Sequence, residues 1–269
     1  MKVFVCIKQV PGVSEVKIDP KTNTLVREGI PSIINPHDKH AVELGISIKE
    51  EYGGEVIALS MGPPQAEKAL REVLSMGVDK AYLLTDRAFA GADTLATSHT
   101  LALAIKKLLK ETNVKRKYIV ICGTQATDGD TAQVGPELAE ELNIPQITYV
   151  LKFRLEEDDK VIVERAFRTE EVVEIETRLP VLVSVVKEIN VPRMPGVQGI
   201  VNAYQNKEVI YLNADDIGAD KSKIGLNGSM TEVWKIFIPE KKVDHVVLTG
   251  TIEEMAQELC NNLHDDKVI

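Results

Sequence analysis

The sequence predicts an α/β protein built on a doubly wound, mostly parallel sheet, with an antiparallel margin and an extended C-terminal arm. Three observations carry that expectation. Short β-branched runs alternate with helical patterns through the first half, giving a βαβαβαβαβ rhythm. The runs are apolar almost throughout, as strands are when helices cover both faces of a sheet. After about residue 188 the chain turns polar and rich in Pro and Gly, with too few apolar residues to make a core of its own. An α/β domain is therefore expected over 1–204, and an arm over 205–269 that packs on another surface.

The elements follow in order. Val3–Lys8 reads as the first strand. Asn35-Pro36 starts a helix over His37–Tyr52, because Asn can cap free N–H groups and Pro suits the first helical position. Glu55–Ser60 is a strand ending in Met61-Gly62-Pro63-Pro64, Gln65–Met76 a helix closed by Gly77, and Lys80–Leu84 a strand. Asp93 or Thr94 caps a helix running to about Lys110; Tyr118–Cys122 is a strand, Gly135–Leu142 a short helix, and Gln146–Leu151 another strand. Segments 14–30, 153–165 and 166–187 alternate charge with Val and Ile and are expected as antiparallel strands at the margin. Asn190–Gly199 is expected as a loop, 213–233 as polar chain, and about 252–263 as an amphipathic helix.

The 269 residues are 44% hydrophobic and 27% charged, ordinary globular composition. Thirty-two Lys and Arg against 41 Asp and Glu leave a net charge of −9. That disfavours non-specific nucleic-acid binding and attraction to an anionic membrane, both of which need positive charge. Five Phe, six Tyr and one Trp provide little for stacking bases. Cys6, Cys122 and Cys260 make no disulfide framework, and the first apolar run is far shorter than a membrane span, so a cytoplasmic protein is expected, with no membrane insertion.

Common catalytic motifs are absent: no GxxxxGK[ST], GxGxxG after the first strand, HExxH or GxSxG occurs. His37 and His40 share a helix face, but no third ligand is visible and no metal site is expected. The informative stretch is Gly123-Thr124-Gln125-Ala126-Thr127-Asp128-Gly129-Asp130-Thr131-Ala132-Gln133-Val134-Gly135-Pro136, between a strand and a helix. Ligands of open parallel sheets bind beyond the carboxyl ends of the strands, where a long loop of small residues leaves N–H groups free for phosphate and the next helix adds its dipole. Asp128 and Asp130 would repel phosphate, so they are expected to cap the loop and helix or to meet ribose hydroxyls. Gly91-Ala92-Asp93-Thr94, with hydroxyls at Thr94, Thr97 and Ser98, and Asn35-Pro36-His37-Asp38 lie at two further helix starts. No nucleophile arrangement is present, and a redox cofactor would remove the need for one.

These residues resemble a known family. Val5-Cys6-Ile7-Lys8-Gln9-Val10-Pro11, Ile34-Asn35-Pro36, Met61-Gly62-Pro63, Gly91-Ala92-Asp93-Thr94, Asp128 through Gly135 and Gly225-Leu226-Asn227-Gly228-Ser229-Met230-Thr231 are similar, in order, to the beta subunit of electron-transfer flavoprotein. The resemblance implies an adenine-nucleotide-binding, Rossmann-like fold and a heterodimer with an alpha subunit. Ordinary members hold AMP in this subunit and relay electrons. Electron-bifurcating members hold FAD there, which takes a hydride from NAD(H). The Gly91–Thr94 stretch and the small-residue loop look like the bifurcating branch. Electrons would then be split between ferredoxin and, through the alpha-subunit FAD, a flavin-dependent dehydrogenase of acyl-CoA or 2-hydroxy-acid type. By position, the backbone of Cys6 would meet the adenine. Asn35, Asp38, Met61 and Gly123–Val134 would line the rest, and Gly91, Asp93, Thr94 and Thr97 would lie near the ribityl or pyrophosphate part. Pro192, Arg193, Met194 and Val197 match the family's partner-docking segment. The family's usual Gly is missing from Thr169–Glu174, and Met230 stands where Pro is common. The rival readings are the AMP-holding relay subunit and a nucleotide-hydrolysing protein using Asp128 and Asp130 for Mg²⁺.

Overall fold

Residues 1–12, 18–19, 24–25, 31–168, 171–234 and 246–268 are described by the computed structural model. The chain forms two units, Met1–Trp234 and Lys235–Ile269. The first unit begins with β1 (Lys2–Cys6), β2 (Gln9–Pro11), β3 (Ile18–Asp19), β4 (Thr24–Leu25), β5 (Ser32–Ile34), α1 (Pro36–Tyr52), β6 (Glu55–Met61), α2 (Glu67–Met76) and β7 (Lys80–Leu84). It continues through α3 (Thr94–Glu111), β8 (Tyr118–Gly123), α4 (Val134–Leu142), β9 (Gln146–Leu155), β10 (Lys160–Arg168), β11 (Glu171–Arg178) and β12 (Val181–Val185). It closes with α5 (Val197–Gln205), β13 (Val209–Leu212) and a turn of helix, α6 (Gly225–Gly228).

Nine strands form one sheet in the order β11-β10-β9-β12-β8-β1-β6-β7-β13. From β12 to β13 every pairing is parallel, and β9 pairs parallel with β12 but antiparallel with β10. One face is covered by α1, α2 and α5 through residues such as Val42, Ile46, Leu70, Leu74 and Ala203. The other carries α3 and α4 through Leu101, Ile105, Leu138 and Ala139. Strands β1, β6, β8 and β12 are almost wholly buried, which is why they read as unbroken apolar runs. A fully buried Val or Ile contributes about 1.5–3 kcal/mol relative to exposure. The parallel centre therefore holds the fold, while β11 is exposed along most of its length.

Several expectations need correction. The first strand stops at Cys6, and Pro64–Ala66 makes a 3-10 turn before α2. The margin expected over 166–187 holds for β10 and β11 but not for Val181–Val185, which lies between β8 and β9 in the centre of the sheet. Of the margin expected over 14–30, only the short β3–β4 ladder is described, apart from the main sheet; the rest falls outside the described residues. The expected loop Asn190–Gly199 ends early, because α5 begins at Val197. Residues 205–234 belong to the first unit rather than to an arm. β13 pairs with β7 as the ninth strand, and Ala214, Ile217 and Ile224 are buried in the α3/α4-side core. These few apolar side chains suffice because they close an existing core instead of building one.

In the second unit, 235–245 lie outside the described residues. Its helix α7 (Ile252–Asp265) opens with a capping box: Thr251 Oγ1 accepts from Glu254 N, and Glu254 accepts from Thr251 N. None of its described side chains is buried. No helix among the described residues is long and apolar enough to cross a membrane.

Candidate functional site

The chain runs outward from β1 to β6 and β7, then returns across β1 to β8 and β12. Strand order therefore reverses at β1/β8, and the segments leaving those two strands diverge there. Such a switch point is where open α/β sheets bind ligands. Residues from β1, α1, β8 and the 123–133 loop meet at this place.

Asn35 was expected to cap α1, but its side chain makes no cap hydrogen bond. It is fully buried and crosses to the loop instead. Its Nδ2 donates to Gln125 O at 2.8 Å, and its Oδ1 accepts from Thr127 N at 3.2 Å. Its own N–H donates to Lys8 O at 2.8 Å. One turn on, Asp38 Oδ2 accepts from Lys8 N at 2.7 Å. Burial pushes the Asp38 carboxyl up from 3.8 to about 7, against hydrogen bonds from Asn35 and from the backbone of Lys8 and Gly123. Gly123 is required by this packing: a Cβ there would stand 2.4 Å from Asp38 Oδ1 and 2.7 Å from His37 C. Cys6 and Cys122 are register partners beneath the loop, and both are buried. A hydrogen bond to Cys6, together with burial, pushes the Cys122 thiol up.

The loop itself is ordered by a turn in which Gly129 N and Asp130 N both donate to Ala126 O, at 3.2 and 2.8 Å. Thr124 is anchored to Val185 O through its N–H and its hydroxyl. The carboxylates expected to repel an anion are occupied: Asp128 Oδ1 pairs with Lys8 Nζ at 2.7 Å, and Asp130 accepts from Gln125 Nε2. Gly129 is not in the left-handed region; Asp130 and Ala132 are, at φ 53° and 54°. Two non-glycine residues so close together in that region mark a backbone held against its preference.

Beyond the turn, the N–H groups of Thr131, Ala132 and Gln133 have no partner among the described residues. The start of α4 has no side-chain cap from Gln133, and a helix leaves its first four N–H groups unpaired. His37 Nδ1 is also buried without a partner among the described residues. These donors fit an anionic ligand at the mouth of the sheet. A cavity of about 300 Å³ adjoins the loop, lined by Lys8, Gln9, Val10, Met61, Gln65 and Asp128 among others.

The other expected residues are placed differently. Asp93 caps α3, its Oδ1 accepting from Ala96 N at 3.0 Å. Its Oδ2 accepts from Met230 N, Thr231 N and Thr231 Oγ1 at 2.8–3.0 Å, so it clasps the 229–231 segment. Burial opposes ionisation, but these hydrogen bonds hold the Asp93 carboxyl below its ordinary value. Thr94 Oγ1 donates to Glu137 Oε1 at 3.1 Å, tying α3 to the first turn of α4, and Thr97 N donates to Asp93 O. Burial pushes the Glu137 carboxyl up against that bond from Thr94. Gly91 has φ 75°, and a Cβ there would meet Leu226 Cβ at 3.2 Å. His40 bonds to Asn190, and no group of three or more His, Cys, Asp or Glu able to hold a metal occurs among the described residues. Met194 and Val197 are exposed, Pro192 is half-buried, and Arg193 is engaged with α1.

Sequence reading missed Lys8 and Gln125 as partners of the two loop carboxylates. The available signal was Lys8 as the first charge after the buried strand, at the edge where the loops converge.

A family profile described as Electron transfer flavoprotein domain matches residues 22–216. The chain is 54% identical, over the full length of both, to a protein of Thermoanaerobacterium thermosaccharolyticum named Electron transfer flavoprotein subunit beta. It is 49% identical, again over both full lengths, to the Caffeyl-CoA reductase-Etf complex subunit CarD of Acetobacterium woodii. Protein FixA of Bradyrhizobium diazoefficiens is 42% identical over 97% of this chain and 90% of that protein.

Proposed function

This chain belongs to the electron transfer flavoprotein family, as a beta subunit, and from that premise we propose that it holds FAD at the β1/β8 switch point. The observation that carries the reading is the row of unpaired N–H groups from Thr131 into the uncapped start of α4. Several fixed donors and a helix dipole favour a diphosphate over a monophosphate. Asn35 and Thr124 hold the loop that carries those donors, and Lys8 and Gln125 neutralise or occupy its carboxylates. Cys6 offers backbone to the adenine, and Met61 with the adjoining cavity provides room for a larger ligand than AMP. FAD bound there would supply acceptance of two electrons from NAD(H) and their separate delivery, one to ferredoxin and one through the alpha-subunit FAD to a flavin-dependent dehydrogenase. The name of the Acetobacterium relative supports a dehydrogenase partner acting on CoA thioesters. Residues 190–197 present Val191, Met194 and Val197 to that partner, and the C-terminal unit, through its helix α7, packs on the alpha subunit.

The test uses Gly129→Val. A Cβ at Gly129 meets nothing within 4 Å among the described residues, and its φ is not left-handed, so the loop itself tolerates the change. A ligand brought against the loop does not. The purified wild-type heterodimer is expected to release two FAD. The variant is expected to keep the alpha-subunit flavin alone and to lose NADH oxidation, with an unfolding midpoint equal to that of the wild type stripped of the same flavin. A wild type that yields one FAD and AMP, or a variant that keeps both flavins, overturns the proposal.

A further inference from the structure

The segment between β12 and α5 has no helix or strand from Asn190 to Pro195, and none of its backbone groups bonds to another backbone group among the described residues. Among the described hydrogen bonds, its own are all made to α1. Asn190 Nδ2 donates to His40 O at 3.0 Å, and His40 Nδ1 lies 3.0 Å from Asn190 O. Three residues on, Arg193 N donates to Glu43 Oε2 at 2.9 Å. The Arg193 guanidinium then forks: Nε and Nη2 donate to the two oxygens of Glu43, each at 2.9 Å, while Nη1 and Nη2 reach Glu50 at 2.6 and 2.8 Å. Glu43 and Glu50 are two turns apart on one face of α1, so a single planar fork spans both. The Glu43 side chain is only 10% exposed, whereas Val191, Met194 and Val197 stand 89%, 87% and 80% exposed. All the polar effort of the segment is directed inward and its apolar side chains outward.

We infer that Arg193 is a positioning residue, and that its fork onto Glu43 and Glu50 holds 190–196 in the conformation that presents Val191, Met194 and Val197 to the redox partner. The inference rests on the docking role proposed above, but it assigns Arg193 to α1 instead of to the partner. A segment already ordered loses less freedom on docking, so releasing the fork weakens association without touching electron flow inside the heterodimer. Lysine is a poor substitute, because a point charge cannot satisfy two carboxylates as a planar fork does.

The experiment uses the intact heterodimer, with an acyl-CoA dehydrogenase from the same cells as acceptor. Arg193→Lys and the pair E43Q/E50Q are compared with Met194→Asp. Both fork variants are expected to raise the KM for the dehydrogenase about tenfold, equivalent to about 1.4 kcal/mol, with kcat at saturation and flavin content unchanged. Trypsin is expected to cut after Arg193 faster in E43Q/E50Q than in the wild type. If Met194→Asp raises KM while the fork variants leave KM and tryptic cleavage unchanged, the inference is overturned and docking stands. If Met194→Asp changes nothing, the docking reading falls and takes the inference with it. Fork variants that lose kcat and flavin along with KM show a purely structural role and also overturn it.

Discussion

Replacing Asn35 by Leu isolates the scaffold of the proposed nucleotide loop. The two side chains are close in size, so the buried site is not emptied. The change strands Gln125 O and Thr127 N–H, which Asn35 holds at 2.8 and 3.2 Å, and removes its hydrogen bond to the buried Asp38 carboxyl. A polar group left unpaired by such a change costs about 1–3 kcal/mol, less where water can reach it. Thr127 is exposed and rehydrates readily, whereas Gln125 is half-buried and carries most of the penalty. The sum is about 2–3 kcal/mol, a factor of about 30–150 in the ratio of ordered to disordered loop. FAD titrated into the flavin-depleted heterodimer is expected to bind weaker by up to that factor, and amides of 126–133 to exchange faster with solvent. The core β-strands are expected to keep their protection. Unchanged affinity and unchanged loop exchange would refute the assignment of Asn35 as the loop's support.

Two further outcomes are expected. The Asp38 carboxyl is raised from 3.8 to about 7 in the folded chain, so its stabilising contribution is full below the unfolded value and is lost as pH rises through about 7. The Asp38 contribution to stability therefore falls between about pH 4 and pH 7, by about 4 kcal/mol at most, and Asp38→Asn removes that part of the slope. Urea midpoints across this range check it, and a variant with the wild-type slope would assign the dependence elsewhere. A chain ending at Trp234 is expected to fold, since the first unit ends there, but not to hold the alpha subunit. Co-elution of the truncated chain with that subunit would remove the arm from the interface.

What the sequence revealed divides by physical cause. β1, β6, β7 and β8 were readable because burial on both faces leaves apolar runs between helices with clear starts. Asp93 was readable as a cap because N-capping is local. Its clasp on Met230 and Thr231 was not, since nothing near Asp93 in sequence announces a partner more than a hundred residues away. Val181–Val185 was absorbed into the charged margin because the preceding hairpin has the same β-branched residues, and only pairing with β8 distinguishes a central strand. β13 was assigned to an arm because an edge strand with two exposed positions needs little apolar material. At the candidate site, the place of the loop was legible from its length and glycines. The roles of Gly129, Asp130 and Ala132 were not, because which residue takes a left-handed conformation depends on the turn closed by Ala126 O.

Helix α1 couples two parts of the molecule mechanically. Its N-terminal boundary grips the 123–133 loop through Asn35, and its flank grips the 190–196 segment through His40, Glu43 and Glu50. A helix of 17 residues is a rod about 25 Å long. In the proposed arrangement, the cofactor end and the docking end are both mounted on this one rod. A disturbance that tilts the helix at one end would then be felt at the other, so the loop and the segment are expected to move as one piece.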